Sequence, residues 1–139
     1  MTVDSEAIFA VAAHSGHDAR ALEALDGSMA AAWLDEREPE HLFAARGVGR
    51  PLWLGETRGG VFFASTALAL ELVEQYCRLK LRKRQVAEGS LITIRAGKVV
   101  QCDRFRATAY AERDALPPVR APQEREFCLK RLATIVAAA

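Results

Sequence analysis

From residue 28 to residue 64 the apolar residues come in short runs, each closed by charge, glycine or proline. Ser28 to Leu34 is small and apolar and ends in Asp35-Glu36-Arg37-Glu38-Pro39-Glu40. His41 to Arg46 ends in Gly47-Val48-Gly49-Arg50, which leads into Pro51-Leu52-Trp53-Leu54. Thr57-Arg58-Gly59-Gly60 then precedes Val61-Phe62-Phe63-Ala64. Runs this short, bounded by turn residues, are strands, and Thr57-Arg58-Gly59-Gly60 is a hairpin signal. A chain so punctuated is committed to antiparallel sheet through its middle.

Helical signals flank this stretch. Asp4 or Ser5 can cap a helix that starts near Glu6, places Ile8, Val11 and Ala12 on one face with Phe9 beside it, and stops at Gly16. A second short helix reads through Ala19, Leu22 and Leu25 to Asp26-Gly27. Ser65 or Thr66 can cap a third, with Ala69, Leu72, Val73 and Tyr76 on its stripe. Arg78 to Arg84 alternates basic and apolar residues, as a strand with one solvated face does. Leu91-Ile92-Thr93-Ile94 and Val99-Val100 form a hairpin around Ala96-Gly97-Lys98. Residues 106–120 contain Pro117-Pro118 and read as a linker. A last helix runs from about Gln123, with Leu129, Leu132 and Val136 inward. This order is α+β, with mostly antiparallel strands and helices on one side.

Composition narrows the classes of function. The formal net charge is +1, so no global field recruits nucleic acid or an acidic membrane. No apolar run approaches the ~20 residues of a membrane span. The acidic N-terminus lacks the apolar core of a secretion signal. Cys77, Cys102 and Cys128 are odd in number and widely spaced, which points to neither a disulfide framework nor a zinc knuckle. A reducing cytoplasm is the simplest context.

Five segments, taken in order, resemble the glutaminase domain of class II glutamine amidotransferases, which are N-terminal-nucleophile (Ntn) hydrolases. They are Asp4-Ser5-Glu6-Ala7-Ile8, Leu25-Asp26-Gly27-Ser28-Met29-Ala30, Phe43-Ala44-Ala45-Arg46-Gly47 with Arg50-Pro51-Leu52-Trp53-Leu54-Gly55, Phe62-Phe63-Ala64-Ser65, and Glu88-Gly89-Ser90-Leu91-Ile92. In texture they are most similar to the glucosamine-6-phosphate synthase branch. Thr66 and Ser90 stand where that family commonly has aspartate, and both look like cap or turn positions. The resemblance implies a partial αββα sandwich: residues 1–105 as the C-terminal half of the domain, 106–120 as a linker and 121–139 as a terminal helix.

It also implies an activity, glutamine hydrolysis to glutamate with ammonia passed to an acceptor, as in a transferase. The family attacks the side-chain amide with an N-terminal cysteine whose own α-amino group is the base. A His-Thr-Arg segment and an Asn-Gly pair hold the substrate carboxylate and the oxyanion. None of these stands in this chain. The expectation is therefore a domain entered halfway and catalytically incomplete, with no cofactor and no catalytic residue of its own. The alternative is a degenerate fragment serving as an interaction or ligand-binding module. The absent half would leave strand edges open to a partner chain or a second copy.

Asp4 alone carries over as a substrate contact, because the family's aspartate at this position accepts the α-ammonium of glutamine. Its plain alternative is a helix N-cap. Glu6 suits the positive end of the same helix. Thr2 would be an N-terminal nucleophile only after loss of Met1, and the resemblance places it just before a helix. His14 and His17 are spaced i, i+3 near a helix end, but no third metal ligand is placed, so they read as exposed polar residues. His41 is structural, the cysteines are small buried hydrophobes, and Trp33 and Trp53 pack between strand layers. Arg46, Gly47 and Gly49 form a tight turn, with no phosphate-binding lysine after it.

Overall fold

The computed structural model describes residues 5–108 and 122–138. The turn-bounded runs are strands: β1 (Ala30–Leu34), β2 (His41–Arg46), β3 (Trp53–Glu56), β4 (Val61–Ala64), β5 (Arg82–Gln85), β6 (Ser90–Arg95) and β7 (Lys98–Arg104). The helices are α1 (Ser5–Ser15), a 3-10 helix (Ala19–Ala24), α2 (Ala67–Cys77) and α3 (Pro122–Ala138). Asp18 caps the 3-10 helix and Thr66 caps α2, each accepting a backbone N–H with its side-chain oxygen. Fold class is α+β.

The strands form two antiparallel sheets, of order β1-β2-β6-β7 and β4-β3-β5. Side-chain alternation assigns their faces. On β2, Phe43 and Ala45 join Leu91 of β6 in a core completed by Ala19 and Leu22 of the 3-10 helix and Ile8 and Val11 of α1. The intervening Ala44 lies with Ile92 and Ile94 in a second core. That core also takes Leu52, Leu54 and Val86 from in and beside the smaller sheet, so it fills the space between the sheets. A third core sets Trp53, Phe62 and Ala64 of the smaller sheet against Leu70 and Val73 of α2 and Leu129 and Leu132 of α3. The layer order is helix, sheet, sheet, helix.

This corrects the expectation of helices on one side. Each sheet is apolar on both faces, and each outer face needs its own helical cover. Both tryptophans accordingly face the helical layers instead of the space between the sheets. The buried stripe of α2 is also displaced from the expected one. Leu70 and Val73 are buried and Cys77 packs beside them, whereas Tyr76 is exposed. The cause is that α2 meets the sheet along an i, i+3, i+7 line starting one residue later.

The basic run divides differently from the expectation. Arg78 ends α2 in the left-handed conformation, Leu81 is buried, and only Arg82–Gln85 is strand. Its charges are paired: Arg82 and Arg84 with Glu56, and Lys83 with Glu74. Ser90 is a buried strand residue whose hydroxyl accepts from Arg104, so it is neither cap nor turn. Cys77 packs as expected, and burial pushes its thiol up. Cys102 is exposed, contrary to expectation, because it lies on edge strand β7. The side chain of Cys128 lies outside the described residues. Most of the expected linker does too, but Arg106 still donates its backbone N–H to Glu23 and Ala107 still packs on the first core.

Candidate functional site

Asp4 and Thr2 lie outside the described residues. Among the described ones, polar chemistry concentrates at the two ends of the β1–β2 pair.

The first concentration begins where α1 stops. Gly16 and His17 both adopt positive φ, 64° each, and the His17 N–H closes back on the Ala12 carbonyl at 3.0 Å. This reversal aims the His17 ring at the sheet. The ring stacks on Phe43 at a centroid distance of 3.8 Å, and its side chain is 5% exposed. Trp33 donates its indole N–H to His17 Nδ1 at 3.3 Å. An indole can only donate, so Nδ1 is the acceptor and Nε2 carries the proton. Nε2 then donates to Asp35 Oδ2 at 3.0 Å.

Arg37 closes the cluster. Its Nε and Nη2 grip the Asp35 carboxylate, and Nη2 also donates to the Ala13 carbonyl at 2.9 Å. The Arg37 guanidinium, and then the Arg37 backbone N–H, hold the Asp35 carboxyl well below the usual carboxylate range. The result is a clasp from the end of α1 to the β1–β2 turn. An open pocket of about 630 Å³ lies over it, with Phe9, Trp33 and Leu34 as apolar walls and Glu36 and Arg37 at the polar rim.

The second concentration gathers three of the segments singled out in the sequence. Ser28 bridges Val48, and Met29 exchanges backbone hydrogen bonds with Gly47 and Val48. Glu88 Oε1 accepts from Gly49 N and from Arg46 Nη2, both at 3.4 Å. Arg46 also donates to the carbonyls of Arg50 and Val86. Two glycines are required by this crowding. A Cβ on Gly49 would stand 2.4 Å from Ser28 Oγ, and one on Gly89 would stand 2.2 Å from the Phe105 carbonyl oxygen. Both have positive φ as well.

Chemically the two ends differ. In the clasp both ring nitrogens of His17 are engaged, so taking a substrate proton would cost the Trp33 bond. His17 is therefore a structural residue with a buried side chain, not the exposed polar one expected, while His14 is exposed. His41 opens β2 and bonds Glu38 at 3.0 Å, as a structural residue. The sequence offered no signal for Asp35 and Arg37 beyond a charged turn. Among the described residues no group of three or more His, Cys, Asp or Glu is arranged to hold a metal ion. No helix among them is long and apolar enough to cross a membrane. No family model and no curated protein matches the chain.

Proposed function

We propose that residues 1–105 are the later part of a class II glutamine amidotransferase domain of the Ntn-hydrolase type. In this reading the domain hydrolyses glutamine to glutamate and delivers ammonia. Asp4 receives the substrate α-ammonium, and an N-terminal cysteine on a segment other than these residues supplies the nucleophile and its amine base. The observation that carries the reading is the junction of Ser28, Arg46–Gly49 and Glu88–Gly89. Three segments that resemble the family separately, and lie far apart in sequence, interlock at one end of the four-stranded sheet. The helix–sheet–sheet–helix order agrees with it.

A glutaminase assay tests this. The chain alone is expected to release no glutamate from glutamine. Adding a cysteine-bearing N-terminal half from a class II enzyme is expected to restore release. Asp4→Asn in that complemented mixture is expected to raise KM more than it lowers kcat, because the lost contact holds substrate in ground and transition state alike. Hydrolysis by the chain alone, or full activity of Asp4→Asn, would overturn the assignment.

A second reading is a non-enzymatic interaction or ligand-binding module. The pocket between Phe9, Trp33 and Leu34 favours it, since its walls are apolar and open. Coding sequence directly upstream discriminates: an in-frame Met-Cys-Gly opening followed by His-Thr-Arg belongs to the first reading alone.

A further inference from the structure

Backbone phase decides which residues of an edge strand are available to a partner. Gly47 N donates to the Met29 carbonyl, and Phe105 N donates to the Gly89 carbonyl. Both bonds set the same alternation through the β1-β2-β6-β7 sheet. Met29, Ala31 and Trp33 turn their backbone groups toward β2, and Ala30, Ala32 and Leu34 turn theirs outward. Among the described residues nothing pairs with that outer edge. Unpaired edges are normally blunted by charge, proline or bulges. β1 reads Ala-Ala-Ala-Trp-Leu and carries none of these.

The other three edges are less suited to self-pairing. β5 carries Arg82, Lys83 and Arg84, long charged side chains already paired with Glu56 and Glu74, the charged blunting expected of an edge not meant to pair. β7 carries Lys98, Asp103 and Arg104, and its ladder with β6 is broken by a bulge at Thr93/Ile94. β4 is neutral, but the Thr57 N to Gly60 O bond fixes a phase in which only Val61 and Phe63 turn outward.

We propose that the β1 edge is a homodimer interface, in which β1 of two copies pair antiparallel about a two-fold axis through Ala32. That register sets Ala30 against Leu34 of the other copy, Ala32 against Ala32, and Leu34 against Ala30. All three outward-turned residues then meet outward-turned residues, so each backbone donor finds a carbonyl. The pairing is isologous, as a two-fold contact must be. No like charges face one another along the strand, and the small alanines permit close approach. Leu34, 69% exposed, and Phe9, 42% exposed, flank the strand end and would lose apolar surface to water on pairing. A second copy fits better than an unrelated segment because the strand is its own complement in length, charge and phase. The inference does not depend on Asp4; an N-terminal half that completed the sheet at β1 would compete with the second copy, so the dimer is measured on this chain alone.

Sedimentation equilibrium of the full chain across the micromolar range tests the proposal. A concentration-dependent dimer is expected. Ala30→Lys with Leu34→Lys sets lysine against lysine at both ends of the pairing and should weaken the dimer by roughly tenfold or more. Ala30→Lys with Leu34→Glu sets opposite charges there and should restore it. Ala30 and Leu34 are exposed, and circular dichroism checks that each variant is folded. Amide exchange of the unmodified chain gives an independent measure. The amides of Ala32 and Leu34 should slow as concentration rises, while those of Ala31 and Trp33, already bonded to β2, should not. A folded monomer at every concentration would overturn the proposal, as would a dimer indifferent to both charge pairs or unchanged exchange at Ala32.

Discussion

The β1–β2 pair is tied down at both ends, but by different physics. At the Arg46 end the chain is held mainly by backbone: Met29, Gly47 and Val48 exchange N–H and carbonyl groups, and glycines at 49 and 89 make room. At the Leu34 end it is held by side chains: an indole, an imidazole, a carboxylate and a guanidinium in one chain of contacts. A backbone knot depends on residues that have no adequate substitute. A side-chain clasp depends on groups that can be removed singly, each leaving its neighbours without a partner. The two ends should therefore fail by different amounts and for different reasons.

The largest effect is expected at the knot. Gly89→Ala must place a Cβ against the Phe105 carbonyl at a positive φ, and β6 and β7 must part locally to admit it. Urea unfolding should show a loss of about 2–4 kcal/mol. A loss under about 1 kcal/mol would mean that the β6–β7 entry yields easily and that the knot is not the tighter end. At the clasp, His17→Ala removes the stack on Phe43 and strands the Trp33 N–H. About 2 kcal/mol should be lost, with a change in Trp33 fluorescence that Gly89→Ala does not produce. His17→Asn should recover part of that loss, since asparagine tolerates positive φ and can still accept from a neighbour.

The same contrast explains what could be read from the sequence. β2 and β4 and the cap at Thr66 follow from local signals, namely short apolar runs, turn glycines and a hydroxyl before an apolar helix. The knot was legible as separate segments because backbone demands leave glycine and serine at fixed places. Their convergence was not legible, since nothing in residues 46–49 says that Glu88 will reach them. The clasp was hidden entirely. His17, Trp33 and Asp35 meet only because Gly16 and His17 reverse the chain, and left-handed histidine has no sequence mark. Periodicity did not show a helix on each outer face, which only the resemblance implied, for a related reason. Apolar content on both sides of β2 and β3 becomes evident only once strand pairing shows that they belong to different sheets. Asp4, the one residue assigned to substrate, rests on resemblance alone.

Acid provides the subtlest discrimination between the two ends. Asp35 is held below its ordinary 3.8 chiefly by Arg37, with His17 a lesser contributor. Glu56 is held below 4.5 by Arg84 and then Arg82, and Glu74 by the Leu81 N–H and then Lys83. A carboxyl whose folded value is depressed stabilises the fold above its unfolded value, and that contribution fades as pH falls toward the folded one. The urea midpoint should therefore be level near neutrality and decline as pH drops through 4.5 and 3.8. Asp35→Asn should lower the midpoint at neutral pH and flatten the acid decline, so that variant and parent converge at low pH. Gly89→Ala should instead run parallel to the parent at every pH, because its defect is steric and binds no proton. An Asp35→Asn deficit that stayed constant from neutrality to pH 3 would mean that the clasp is held by shape and not by charge, and the distinction between the two ends would reduce to one of packing.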